Sequence, residues 1–201
     1  MASSYKKIAE VIFHNLELLA KEADPQDEKE QINASVMIIG IALSINFIEN
    51  CQYLLTSLGS FKQLDQLIKE SQRAFDLHMI NYSNLALKQI LHEKMIDFFA
   101  GIERNLKNGL SPEEIVFNSS FSKINARKII ASIGEKDIKE GFEYVHSRIE
   151  KHFAQPELRR VISAQITSHF DATCKSFQRL LNLVYSSDLS LNFGLHLKSS
   201  Q

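Results

Sequence analysis

A Glu and a His three residues apart, as in Glu143-Tyr144-Val145-His146, are the spacing by which one helix offers two metal ligands. A carboxylate-bridged centre in a helical bundle needs that pair on two helices and a Glu from each of two more. The sequence supplies the pair once. Around it, Ile138, Phe142, Val145, Ile149 and Phe153 recur at helical spacing as a packed stripe, which sets Glu143 outside the buried face and His146 at its flank. His92-Glu93 lacks the second His four residues on that a zinc protease helix requires, because position 96 is Ile. His78, His152 and His169 stand singly. Nucleophilic chemistry fares no better: there is no Gly-x-Ser-x-Gly elbow, and neither Cys51 nor Cys174 sits in a basic or glycine-rich turn that would lower its pKa. "SIGEKD", from Ser132 to Asp137, has one Gly after a helix and an Asp after its Lys, where a phosphate loop needs a glycine-rich turn after a strand and a Ser or Thr. The better reading there is Gly134 as a helix C-cap, followed by Glu135 and Asp137 as first-turn acids of the next helix. No catalytic residue, metal site or cofactor is expected.

The basic residues are the remaining functional candidates. Lys123, Arg127, Lys128, Lys136 and Lys139 lie close together with only Glu135 and Asp137 among them, and Arg159-Arg160 opens the last helix. They read either as a solvated helix face or as a patch that meets an acidic partner or anionic lipid head groups. The chain as a whole gives them no help. With 23 basic and 24 acidic residues in 201, no global field attracts nucleic acid or a membrane.

The elements that position these residues are helical throughout. Apolar residues recur with a period near 3.6, and strict alternation is absent. A first helix is expected over about 4–22, with Tyr5, Ile8, Ile12, Leu16 and Leu19 on one stripe, ended by Pro25 and its acidic neighbours. A second, over about 29–58, is apolar on most of its surface from Val36 to Ile48, yet that run is short of the ~20 residues that span a bilayer. A third is expected as one long helix over about 63–107. Asn108-Gly109 supplies a left-handed stop, and Ser111-Pro112-Glu113-Glu114 an N-cap, a Pro at the first helical position and a capping-box Glu. Ser122 caps a helix expected to run to Gly134, a further helix occupies about 135–154, and Pro156 opens a long last one bearing Leu158, Ile162, Ile166, Phe170, Cys174, Phe177, Leu181 and Val184. The fold expected is all-α, an elongated stack of antiparallel helices, with a rod segment over 1–109 and a C-terminal bundle over 110–201. The two lone cysteines read as buried, reduced thiols of a cytosolic protein. With no apolar signal-peptide core at the start, the Asn-x-Ser sequons at Asn33, Asn81 and Asn118 read as chance.

The order of residues from Lys94 to Phe177 resembles the C-terminal region of the exocyst Sec-three subunit family. The carrying motifs are Phe98-Phe99 through Glu103, Gly109 through Glu114, Phe121 through Ile130 with its Arg127-Lys128-Ile129-Ile130, and Lys136 through Gly141 leading to Glu150-Lys151-His152. The resemblance implies a non-enzymatic helical-rod module of a vesicle-tethering complex, acting in exocytosis through protein contacts. It implies other exocyst subunits as partners, with small GTPases or SNARE-related proteins engaged through a full-length parent. It also implies a cytoplasmic location, recruitment to secretion sites at the plasma membrane, no nucleic acid, and peripheral membrane association at most. The family's amino-terminal pleckstrin-homology-like domain and long coiled coil have no counterpart in the sequence, which therefore reads as a C-terminal fragment or a short relative. Two readings from other classes are a helical bundle with a metal or cofactor in its core, and an unrelated helical adaptor with a basic lipid-facing patch.

Overall fold

The computed structural model describes residues 45, 48–57, 65–186 and 189–191. The first expected helix and most of the second lie outside the described residues. Every regular element among the described residues is helical, so the all-α expectation holds. After a helical stretch at 48–57 come α1 (Asp65–Leu91), α2 (Glu93–Lys107), α3 (Pro112–Phe117), a 3-10 turn (Ser119–Phe121), α4 (Lys123–Ala131), α5 (Glu135–His152) and α6 (Pro156–Tyr185). The chain divides into two compact units between Leu85 and Ala86, inside α1.

In the first unit, Ile45, Ile48 and Cys51 are buried, as are Phe75, Met79 and Tyr82 on α1. The α1 spacings of four and three are one face of a helix. Ser83, buried beside them, donates from its hydroxyl to the Met79 carbonyl one turn back, at 2.8 Å, so no polar atom of that side chain is left unsatisfied.

In the second unit the apolar stripe continues through Leu87, Leu91, Met95, Phe98 and Ile102, all buried, but not on one helix. The long helix expected over 63–107 breaks at His92, which adopts φ 59 and ψ 140. Its carbonyl restarts the ladder by accepting from the Met95 and Ile96 amides. A non-glycine residue held in so sparsely populated a region, positive φ with extended ψ, costs on the order of 1–3 kcal/mol. Ile90, Leu91 and Met95 are wholly buried on the two sides of the break, and burial of that order exceeds the backbone cost.

Local signals fix the next turns. α2 ends in a Schellman motif: the Leu110 amide donates to the Asn105 carbonyl and the Gly109 amide to that of Leu106, with Gly109 at φ 86. The Ser111 hydroxyl accepts from the Glu114 amide, and the Glu114 carboxylate accepts from the Ser111 amide at 2.7 Å. This capping box holds the Glu114 carboxyl below its ordinary pKa, through hydrogen bonds to the Ser111 backbone and side chain. Ser122 caps α4 by accepting from the Asn125 amide.

Gly134 departs from expectation. α4 ends at Ala131, and Gly134 is the N-cap of α5, extended at φ −97 and ψ 172. Its amide donates to the Asp137 carboxylate at 2.7 Å, so Asp137 acts as a first-turn acid by direct capping.

The core of the second unit is built of rings and branched aliphatics. Phe99 on α2 stacks on Phe177 of α6 at 3.9 Å between centroids, nearly coplanar, and Phe98 lies 5.7 Å from Phe121. Ile138, Val145, Ile149 and Phe153 bury one face of α5, while Phe142 is only half-buried, edge-on to Phe170 at 5.1 Å. Gly141 fills the gap in that stripe. A Cβ there would stand 2.8 Å from the Ile90 Cα and 3.3 Å from the Gln89 carbonyl oxygen, so α5 crosses the end of α1 at backbone contact.

Candidate interaction surface

The residues weighed for chemistry do not converge. Glu143 is exposed and pairs with Lys139, with His146 exposed one turn on. Among the described residues, no three or more His, Cys, Asp or Glu side chains come together as a metal site. Burial pushes the Cys51 thiol up to about 12, and burial with the Asp171 charge does the same to Cys174. Both thiols are therefore protonated and poorly nucleophilic. Burial lowers the pKa of His78, and burial with the Arg148 and Lys151 charges lowers that of His152. No described helix is long and apolar enough to cross a membrane.

The basic residues sort by what already holds them. Lys136 pairs with Glu140 and Lys139 with Glu143, each one turn along α5. Arg160 pairs with Glu157 on α6 at 3.4 Å. Arg159 bonds to the main chain instead, its Nε donating to the Phe153 carbonyl at 2.6 Å and its Nη2 to that of Ala154. It thereby closes the link between α5 and α6, satisfying carbonyls that the end of α5 leaves open. Lys123, at the start of α4, is half-buried and already interacts within the fold. Arg127 and Lys128 remain. Both are exposed on α4, and no described residue holds either in a hydrogen bond or ion pair.

Exposed apolar residues accompany them. Ile124, one turn before Lys128, is 68% exposed, Phe117 at the end of α3 is 90% exposed, and Leu183 near the end of α6 is 58% exposed. Phe117, Val116 and Pro112 of α3 form, with Leu183, Val184 and Ser186, an open groove of about 400 Å³ whose rim carries Glu113. None of these positions was among the site residues expected from sequence. The signal was present: Ile115, Val116 and Phe117 are three consecutive apolar residues in a six-residue helix, and consecutive positions cannot all face one side of a helix. Next along α6, Tyr185 is buried and its hydroxyl donates to the Phe121 carbonyl at 2.7 Å. Burial pushes that phenol up to about 12. Beyond α6 the chain folds back onto Gln178, which donates to the Leu189 carbonyl and accepts from the Leu191 amide.

Comparison with known proteins adds a family. The family model described as "Exocyst complex component Sec3, C-terminal" matches residues 1–187. Exocyst complex component 1 of Mus musculus is 26% identical over 198 residues, an alignment covering 96% of this chain and 20% of the mouse protein. Exocyst complex component 1 of Drosophila melanogaster is 26% identical over 151 residues, covering 73% of this chain and 17% of the fly protein. The chain thus spans about a fifth of the length of these curated relatives. No solved structure matches it.

Proposed function

Since this chain belongs to the family of exocyst complex component Sec-three, in its C-terminal part, we propose that it is a non-enzymatic module of the exocyst. It works in vesicle tethering and exocytosis by binding other exocyst subunits. The observation that carries this reading is the family match over residues 1–187, and the chemistry agrees with it. Among the described residues, side chains that could act as nucleophile, base or ligand are exposed singly, ion-paired, or wholly or partly buried with pKa values moved away from reactivity. The exposed side chains include the unpaired cations Arg127 and Lys128 on α4 and large apolar groups such as Ile124 and Phe117, materials of protein contact. The module is placed in the cytoplasm at sites of secretion, with small GTPases and SNARE-related proteins reached through a longer parent.

The test is affinity capture with the full chain from cells that secrete actively, read by quantitative mass spectrometry. Enrichment of exocyst subunits over a charge-matched helical control is expected. Enrichment no greater than the control's overturns the reading.

A further inference from the structure

Sorting the basic residues by partner leaves an asymmetry on α4. Lys123–Ala131 contains no acidic residue, and Ile124, Arg127 and Lys128 stand at i, i+3 and i+4, which places them on one face of the helix. All three are exposed. Of the other cations that the sequence groups with them, Lys136, Lys139 and Arg160 are held by Glu140, Glu143 and Glu157, Arg159 by main-chain carbonyls, and half-buried Lys123 already interacts within the fold. The surface is therefore a small, unneutralised cationic pair beside an unburied aliphatic side chain.

We propose that this face of α4 docks an acidic amphipathic protein segment, an Asp or Glu on it pairing with Arg127 and Lys128 and an apolar side chain covering Ile124. Two observations favour this occupant over a bilayer. Attachment to anionic lipid draws on clusters of about four to eight Lys and Arg, and ion pairing and capping elsewhere leave two here. An exposed guanidinium with an exposed aliphatic neighbour suits one carboxylate bound bidentately and one apolar contact. Identification of the segment as part of another exocyst subunit rests on the function proposed above; the chemistry of the surface does not.

The experiment uses the full 201-residue chain and three probes: a helix-forming peptide of Glu and Leu, the same peptide with Lys in place of Glu, and phosphatidylserine-phosphatidylcholine vesicles. The acidic peptide binds and the basic one does not. Arg127→Glu with Lys128→Glu weakens binding by about tenfold or more, and Ile124→Ser weakens it as well. Lys136→Glu, at a cation already paired with Glu140, leaves it within about twofold. Circular dichroism confirms that the variants keep wild-type helicity. Equal binding of the acidic peptide by wild type and double reversal overturns the proposal, as does vesicle binding that the double reversal abolishes while peptide binding stays unchanged. Recombinant exocyst subunits form a second arm. Wild type that captures subunits and a reversal that captures them equally well also overturn the docking site. If wild type captures none while the peptide arm holds, the exocyst assignment fails and the acidic-segment site stands.

Discussion

Replacing Gly141 by Ala sets two effects against each other. In the middle of a helix, Ala is favoured over Gly by about 1 kcal/mol, so a glycine in α5 with no tertiary reason should gain stability on substitution. The reason here is the crossing. The new Cβ would stand 2.8 Å from the Ile90 Cα and 3.3 Å from the Gln89 oxygen, both main-chain atoms that no rotamer change can move. Relief requires α1 and α5 to separate along a stripe that includes Ile138 and Val145, both buried. Forcing a group into packed surroundings costs about 1–3 kcal/mol, and with backbone on the far side the upper end applies. The net is a loss of about 2 kcal/mol, or about 4–8 °C in Tm for a chain of this size. Gly101→Ala is the control. Its Cβ would meet Phe121 Cζ at 2.7 Å, the tip of a half-buried ring that can swing aside, so helix propensity recovers most of the cost and stability changes by less than about 1 kcal/mol. Urea unfolding followed by circular dichroism measures both. A Gly141→Ala chain more stable than wild type by about 1 kcal/mol would mean that the two helices do not cross at backbone contact, refuting the reasoning.

Three further outcomes are expected. Phe99→Ala should cost about 3–5 kcal/mol, because the ring is buried against Phe177, whereas half-buried Phe142→Ala should cost about 2 kcal/mol; the reverse order in urea unfolding would contradict the described core. Tyr185→Phe removes the donor to the Phe121 carbonyl and should cost about 1–2 kcal/mol, with an unchanged unfolding midpoint counting against a role for that bond. The folded pKa values of His78 and His152 lie below 6.5, so below that pH the unfolded chain takes up protons that the folded chain refuses, and stability falls as pH drops. Urea midpoints at about pH 7.5 and about pH 5.5 should show the decline, and His78→Asn should flatten it; a midpoint that rises on acidification would show the histidines to be better protonated in the fold.

What could be read without coordinates was local. The all-α class follows from apolar spacing, and the stripe from Leu158 to Val184 lies on the single helix α6 with all but Cys174 buried or nearly so. Asn108-Gly109, Ser111-Pro112-Glu113-Glu114 and Ser122 punctuate the chain where their capping chemistry says they should. These features depend on residues within one or two turns of each other, so the sequence by itself determined them. Its residue order also carried the family resemblance, whose motifs run through the same punctuated region.

Tertiary structure alone decided the break at His92, where no Gly or Pro marks a stop and burial on both sides outweighs a local backbone cost. It decided that Gly141, 51 positions from Ile90 in the numbering, is a crossing point and not a weak place in α5. The occupied cations, by contrast, were within reach of the sequence: Lys136–Glu140, Lys139–Glu143 and Arg160–Glu157 are pairs three or four positions apart on one helix, and Arg159 reaches carbonyls five and six positions back, whereas α4 carries no acid for Arg127 and Lys128. The physical reason is range: helix periodicity, capping and one-turn ion pairs act between neighbours in the chain, while packing contact depends on what the fold brings alongside.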